Sequence, residues 1–268
     1  NGAQVPSPDP TRKVVPLDLF PTEILSGIVV QKTYAAEMPA EFGGGTVQLR
    51  TRGVPESFLL KLSATWGYAD GTTNQTGLSY QGGSRDWLGY DDGARAAPDG
   101  LLVTTLPPIN SPEREALGEA LAAKGYQTSP KQLGPNTGFS FTIGDDLQFS
   151  DGAWSLGYIA GTRYAQSWDQ REEQRAFFAL SGGELFAQQR STRETTERAI
   201  DTSLFASTGL KIGEHHVINA TAIQVRQTTD EVQTDTGILG SGEFERLRTL
   251  EWIENELQVG QVNGEHSI

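Results

Sequence analysis

The chain has 268 residues, 34 acidic against 21 basic side chains and a formal net charge of −13, which excludes nucleic acid or an anionic lipid face as a partner held by bulk charge. It has no cysteine but 31 glycines, which excludes disulfides, thiolate metal sites and thiol nucleophiles and points to many turns and strands. No run of 18 apolar residues occurs, so no transmembrane helix is expected, whereas a strand of a membrane barrel needs only about 9–11 residues of alternating character.

Residues 1–16 carry Pro6, Pro8, Pro10 and Pro16 and read as an extended loop. Leu17–Gly27 (LDLFPTEILSG) reads as one short helix, with Pro21 in the first turn and Gly27 as its stop. Gly27–Tyr34 (GIVVQKTY) is β-branched and reads as a strand. Pro39–Arg52 reads as a glycine loop followed by a strand in which Val47 and Leu49 alternate with Gln48 and Arg50.

From Phe58 the period is two. Phe58, Leu60, Leu62, Ala64, Trp66 and Tyr68 share one face, against Leu59, Lys61, Ser63, Thr65 and Gly67 on the other. Such one-sided character over roughly 11 residues is long for a globular strand and suits a bilayer. Further strands are expected over Thr76–Tyr90, Gly138–Phe149, Gly152–Trp168, Ala176–Leu180, Ala199–Lys211, Glu214–Gln227 and Phe244–Gln258, with a last one starting at Val262. One helix is expected over 111–124, with Ser111 as N-cap, Pro112 in the first turn and Gly125 beyond the end, inside a long connection of 91–137.

No catalytic constellation emerges. His215 and His216 are adjacent and so point to opposite faces of a strand, and His266 is remote in sequence. The pairs Asp91–Asp92, Asp145–Asp146 and Glu172–Glu173 fall at expected loops, where solvated charge accounts for them. The G-x-S-x-G elbow is absent, and Gly43-Gly44-Gly45 lacks the Lys-Ser/Thr of a phosphate loop. No enzymatic activity, cofactor or metal is expected. Trp66, Tyr68, Trp87, Tyr90, Trp154, Trp168 and Trp252 lie mostly near expected strand ends, as an interfacial aromatic girdle would.

Residues 15–52, VPLDLFPTEILSGIVVQKTY…MPAEFGGGTVQLRTR, resemble the C-terminal part of the plug domain of TonB-dependent outer-membrane receptors. The match is densest from Leu17 to Arg52 and includes Pro-Ala-Glu-Phe-Gly-Gly-Gly and a closing Arg-Thr-Arg. Gly89-Tyr90-Asp91-Asp92-Gly93 and Trp252-Ile253-Glu254 look familiar from one carbohydrate- or siderophore-type branch, less specifically.

The resemblance implies a mostly β fold. The tail of an α+β plug (1–54) would be followed by the first seven or eight strands (55–268) of an antiparallel transmembrane barrel of about 22 strands. The chain would then be an internal piece of a longer protein. The parent would sit in the Gram-negative outer membrane, bind a scarce small extracellular ligand (siderophore, cobalamin, metal complex or oligosaccharide) and pass it to the periplasm when TonB pulls the plug.

Glu41, Phe42, Gly43, Gly44, Gly45, Arg50 and Arg52 would form the plug–barrel junction, with Glu251 or Glu254 as carboxylate partners for the arginines. Residues 168–199 would form an outside loop and its flanking strand extensions, and the helix at 111–124 would sit in a periplasmic connection if the first barrel strand runs outward. The competing reading is a soluble or secreted β-rich binding or adhesion module. The apolar face decides between them: exposed in a barrel, packed inside in a sandwich.

Overall fold

The computed structural model describes residues 25–33, 46–51, 55–101, 105–150, 153–213 and 215–267. The fold is mostly β. β1 (Leu25–Gln31) pairs antiparallel with β2 (Thr46–Thr51). The expected helix is corrected at its end: Leu25, Ser26 and Gly27 already belong to the strand. The β-branched Ile28-Val29-Val30 run extends the backbone, and a register slip between Leu25 and Gly27 leaves Ser26 as the extra residue, with Gly27 opposite Arg50. Residues 17–24 lie outside the described residues.

β3 (Leu59–Gly67) opens a six-stranded antiparallel sheet. An excursion over 68–135 follows. It holds β4 (Thr76–Tyr80), a 3-10 turn at Asp86–Leu88, α1 (Pro112–Ala122) and β5 (Thr128–Gln132), which pairs with β4. The long strand expected over Thr76–Tyr90 therefore stops at Tyr80. Gly82 and Gly83 follow it, and the side chains of Asp86, Asp92 and Arg95 fill the space that a Cβ at either would occupy. α1 starts where the sequence indicates: the Ser111 hydroxyl accepts the Arg114 N–H at 3.2 Å, the side-chain cap of a helix start.

The sheet resumes with β6 (Asn136–Phe149), β7 (Trp154–Ser181), β8 (Glu184–Ile212), β9 (His216–Ile238) and β10 (Phe244–His266). Its order is β10-β9-β8-β7-β6-β3 and it does not close, so β3 and β10 are its edges. β7 and β8 run 28 and 29 residues, roughly 90 Å each at a strand's rise of about 3.3 Å per residue.

Of the outer loop and strand extensions expected at 168–199, the extensions take nearly all: those residues continue both strands, and the loop between them is only Gly182 and Gly183. Water bathes much of this extension, and opposite charges pair across it. Arg171 bonds Glu197 at 3.0 Å, and Arg193 holds Asp235 through two contacts of 2.8 and 2.9 Å. Such cross-strand pairs stabilise a sheet that apolar burial does not. Glu172–Glu173 and Asp145–Asp146 accordingly lie within strands. Gly182 and Gly183, at φ of 62° and 85°, close the β7–β8 hairpin. Two central residues at positive φ make the twist-matched hairpin turn that Gly-Gly favours.

The registers divide the sheet into two faces. One carries Ile159 and Phe205, packed with Leu59 and Ile223, and also buries Val225 and Leu257. The other is apolar in its lower half and exposed: Leu60 and Leu62 on β3, Phe139 and Leu147 on β6, Leu204 on β8, Ile218 on β9 and Val262 on β10. Leu62 is 63 % and Trp66 82 % exposed. Phe58, Leu60, Leu62 and Trp66 therefore point away from the sheet's core, as the alternation predicts.

Candidate functional site

The upper half of that exposed face is covered by the 68–135 excursion. Its backbone is tied down strand by strand. Gln170 on β7 donates its N–H to Thr72 Oγ1 at 3.2 Å, and Leu78 donates its N–H to Thr196 Oγ1 on β8 at 3.0 Å. Thr228 on β9 donates its hydroxyl to the Gly89 carbonyl at 2.7 Å, and Asp91 donates its N–H to Glu254 Oε1 on β10 at 2.5 Å. Gly89 has to be glycine here. Its φ is 76°, and a Cβ would stand 2.8 Å from the Thr228 hydroxyl.

Four cations, Arg95 and Lys131 in the excursion and Arg198 and Arg226 on the strands beneath it, each lie near an aromatic ring. Arg95 donates to both carboxylate oxygens of Asp86, at 2.8 and 2.5 Å, to Asp91 at 3.1 Å and to the Tyr80 hydroxyl at 2.7 Å. Its guanidinium lies 3.9 Å from the Trp252 ring centroid. Arg226 pairs with Glu254 and Glu256 and stacks 3.7 Å over Tyr90. Arg198 donates to the Asp86 carbonyl, and its guanidinium lies 5.6 Å from the Trp168 ring, on which Lys131 also sits at 5.0 Å. Burial, and then the Asp230 charge, push the Tyr80 hydroxyl well above its ordinary value, so Tyr80 stays neutral. Burial draws the Lys131 ammonium downward. Hydrogen bonds from the Ser84 hydroxyl and amide draw the Asp92 carboxyl down.

A cavity of about 370 Å³ opens beside Arg95, lined by Tyr80, Gln81, Asp91, Lys124, Tyr126 and Trp252 among others. Arg95 and Arg226 are each matched by two carboxylates, an arrangement that fastens the excursion to the strands beneath it. Removing one partner of such a desolvated pair costs more than the pair contributes net. Arg95→Ala is therefore expected to destabilise the excursion by roughly 2–3 kcal/mol, within the range for losing hydrogen bonds to a charged group. Amide exchange over residues 80–95 should speed up while β6–β8 below stay protected; unchanged exchange over 80–95 would mean that Arg95 does not fasten it.

The expected junction residues fare differently. Arg50 lies on β2, opposite Gly27 of β1. Glu41, Phe42, Gly43, Gly44, Gly45 and Arg52 lie outside the described residues. Glu254, offered with Glu251 as a partner for those arginines, is engaged by Arg226, the Asp91 amide and the Trp252 indole N–H at 2.8 Å. His216 stacks on His266 at 4.4 Å, and His215 faces the Ser267 hydroxyl at 3.3 Å; among the described residues no group of three metal-ligating side chains converges. The two weakly familiar segments, Gly89–Gly93 and Trp252–Glu254, meet here. Arg95, Asp86, Tyr80, Arg198 and Arg226 carry no local sequence signal, because the groups that join them are separated by up to 160 or so residues.

No family model, curated protein or solved structure matches the chain. No helix among the described residues is long and apolar enough to cross a membrane, a test that does not bear on strands.

Proposed function

We propose that the chain forms part of the wall of an outer-membrane β-barrel, with the tail of a plug at its N-terminus, in a TonB-dependent receptor that takes up a scarce extracellular ligand. The carrying observation is the exposed apolar band. It crosses six strands with few interruptions, on the face opposite Ile159, Phe205, Val225 and Leu257. Soluble monomers rarely expose apolar patches beyond a few hundred Å². On β7 the band runs from Trp154 to Tyr164, roughly 33 Å of strand at about 3.3 Å per residue, which at the usual tilt of about 35–45° fits the apolar height of about 25 Å.

Its margins are aromatic. Phe149 and Trp154 stack at 4.3 Å at one end, and Trp66, Tyr164 and Trp87 stand at the other. The upper margin crosses the strands obliquely, from Trp66 on β3 through Tyr164 on β7 and Leu204 on β8 to Ala222 on β9 and Gly260 on β10, as it does where strands tilt to the membrane. The open edges fit the same reading, since the 23 residues of β10 have no second neighbour among the described residues and an unpaired edge is costly in lipid. In this reading β3 runs outward. The excursion and α1 then lie on the outer side, not in a periplasmic connection.

The test uses single-tryptophan variants of the membrane-inserted protein in vesicles with brominated acyl chains. Trp66 and Trp154 should be quenched and the buried Trp168 spared; equal quenching of all three would remove the lipid-facing band. Energy coupling is tested separately: uptake by the intact receptor should stop in cells lacking TonB, and undiminished uptake there would leave a passive pore.

A further inference from the structure

Above the excursion, on the same face, the sheet forms a second cleft of about 580 Å³. Arg246 and Arg248 of β10 line it, opposite Thr236 and Thr234 of β9, which in turn pair with Thr192 and Glu194 of β8. Phe244 closes one end and Leu78 of the excursion the other. We propose that this cleft binds a soluble acidic saccharide, its carboxylate or phosphate on Arg246 and Arg248, its hydroxyls on Glu194 and the threonines, and a pyranose face on Phe244.

The two arginines stand two residues apart on one face, so their Cα atoms are roughly 7 Å apart along the strand. Both are exposed, and among the described residues neither has an ion pair. This contrasts with Arg95, Arg193 and Arg226, all matched by carboxylates, in a chain whose acidic side chains outnumber its basic ones. Like charges held this close repel, and a bound anion relieves the repulsion; the planar guanidinium fork suits a carboxylate or phosphate.

A second observation is independent of charge. Thr234 is only 5 % exposed and its hydroxyl has no hydrogen-bond partner among the described residues, although a buried polar atom ordinarily finds one. It lies in the floor of the cleft between the arginines and Glu194, a hydroxyl left available to a ligand. Glu194 sets the selectivity. A carboxylate repels a bare anion but accepts hydrogen bonds from sugar hydroxyls, so a plain phosphate lacks the contacts that a uronic or phosphorylated sugar makes. The volume lies in the range of small-ligand clefts, about 300–1,000 Å³. The inference needs no membrane, plug or TonB.

Calorimetric titration of the full chain with trigalacturonate tests it, with maltotriose and inorganic phosphate as controls. Saturable binding of trigalacturonate is expected, weakening as salt is raised. The variant Arg246→Gln/Arg248→Gln should lose at least tenfold in affinity, and Phe244→Ala a smaller factor. Arg246→Lys/Arg248→Lys keeps the charge and the surface, so it separates ligand loss from misfolding and should recover part of the affinity. No saturable binding, equal binding of maltotriose or of phosphate, or unchanged affinity in the double glutamine variant would each overturn the proposal.

Discussion

Leu62→Arg is expected to destabilise the membrane-embedded protein by about 2–4 kcal/mol, the cost of an arginine on the lipid face of a barrel near the bilayer midplane. In water the same change should cost almost nothing, because Leu62 is already 63 % exposed and nothing packs over it that a guanidinium would displace. The asymmetry makes the substitution diagnostic. Leu62 pairs with Phe141 on β6, which pairs with Thr162 on β7, level with Leu204 on β8, so it lies inside the apolar band and not at its aromatic margin. Trp66→Arg, at the upper margin, should cost less, since the penalty falls toward the interfaces. Urea titrations of folded protein in lipid vesicles give the comparison. Equal stability of Leu62→Arg and the parent in lipid would mean that this face meets water or another protein, and the binding-module reading would take its place.

The alternation behind that prediction was legible from the residues alone. Phe58 to Tyr68, Phe139 to Ile143 and Trp154 to Tyr164 lie in strands or beside one, and the exposed face is the apolar one. The helix at Ser111-Pro112 was legible too, because its cap and first turn are local chemistry. What failed was the polar half of the hairpin. Arg171, Glu172 and Glu173 carry no apolar period, so they look like loop until Glu197, Arg193 and Asp235 are set opposite or beside them. The Gly182-Gly183 pair was the available signal, since two glycines between two runs of equal length mark a two-residue turn.

The fastening cluster was not legible for a different reason. Asp86, Arg95 and Tyr80 lie within 15 residues of one another, but their counterparts Arg198, Trp252 and Glu254 sit on strands more than 100 residues later. Only the strand registers bring these groups together. Glu254 is one such group: β9 presents Arg226 to it across the ladder.

The opposite face supplies the companion test. Phe205 is 3 % exposed and packs with Ile159, Leu59 and Ile223, while its neighbour Leu204 is 56 % exposed on the apolar band. Phe205→Ala is expected to cost about 3–5 kcal/mol, the range for truncating a buried aromatic. Leu204→Ala should be near neutral in water, where no cavity forms, and should weaken the protein only in lipid. Gly161 makes the site specific. A Cβ there would stand 2.5 Å from the Phe141 carbonyl and 2.6 Å from the Phe205 ring, so Gly161→Ala should itself cost about 1–3 kcal/mol by overpacking. Combined with Phe205→Ala the two costs should fall short of their sum, because the ring half of the clash is gone while the carbonyl half remains. Chemical unfolding of the four proteins measures this directly. A Phe205→Ala cost below about 1 kcal/mol, with strictly additive effects, would mean that the ring does not lie on the glycine and that the buried face has been assigned to the wrong side of the sheet.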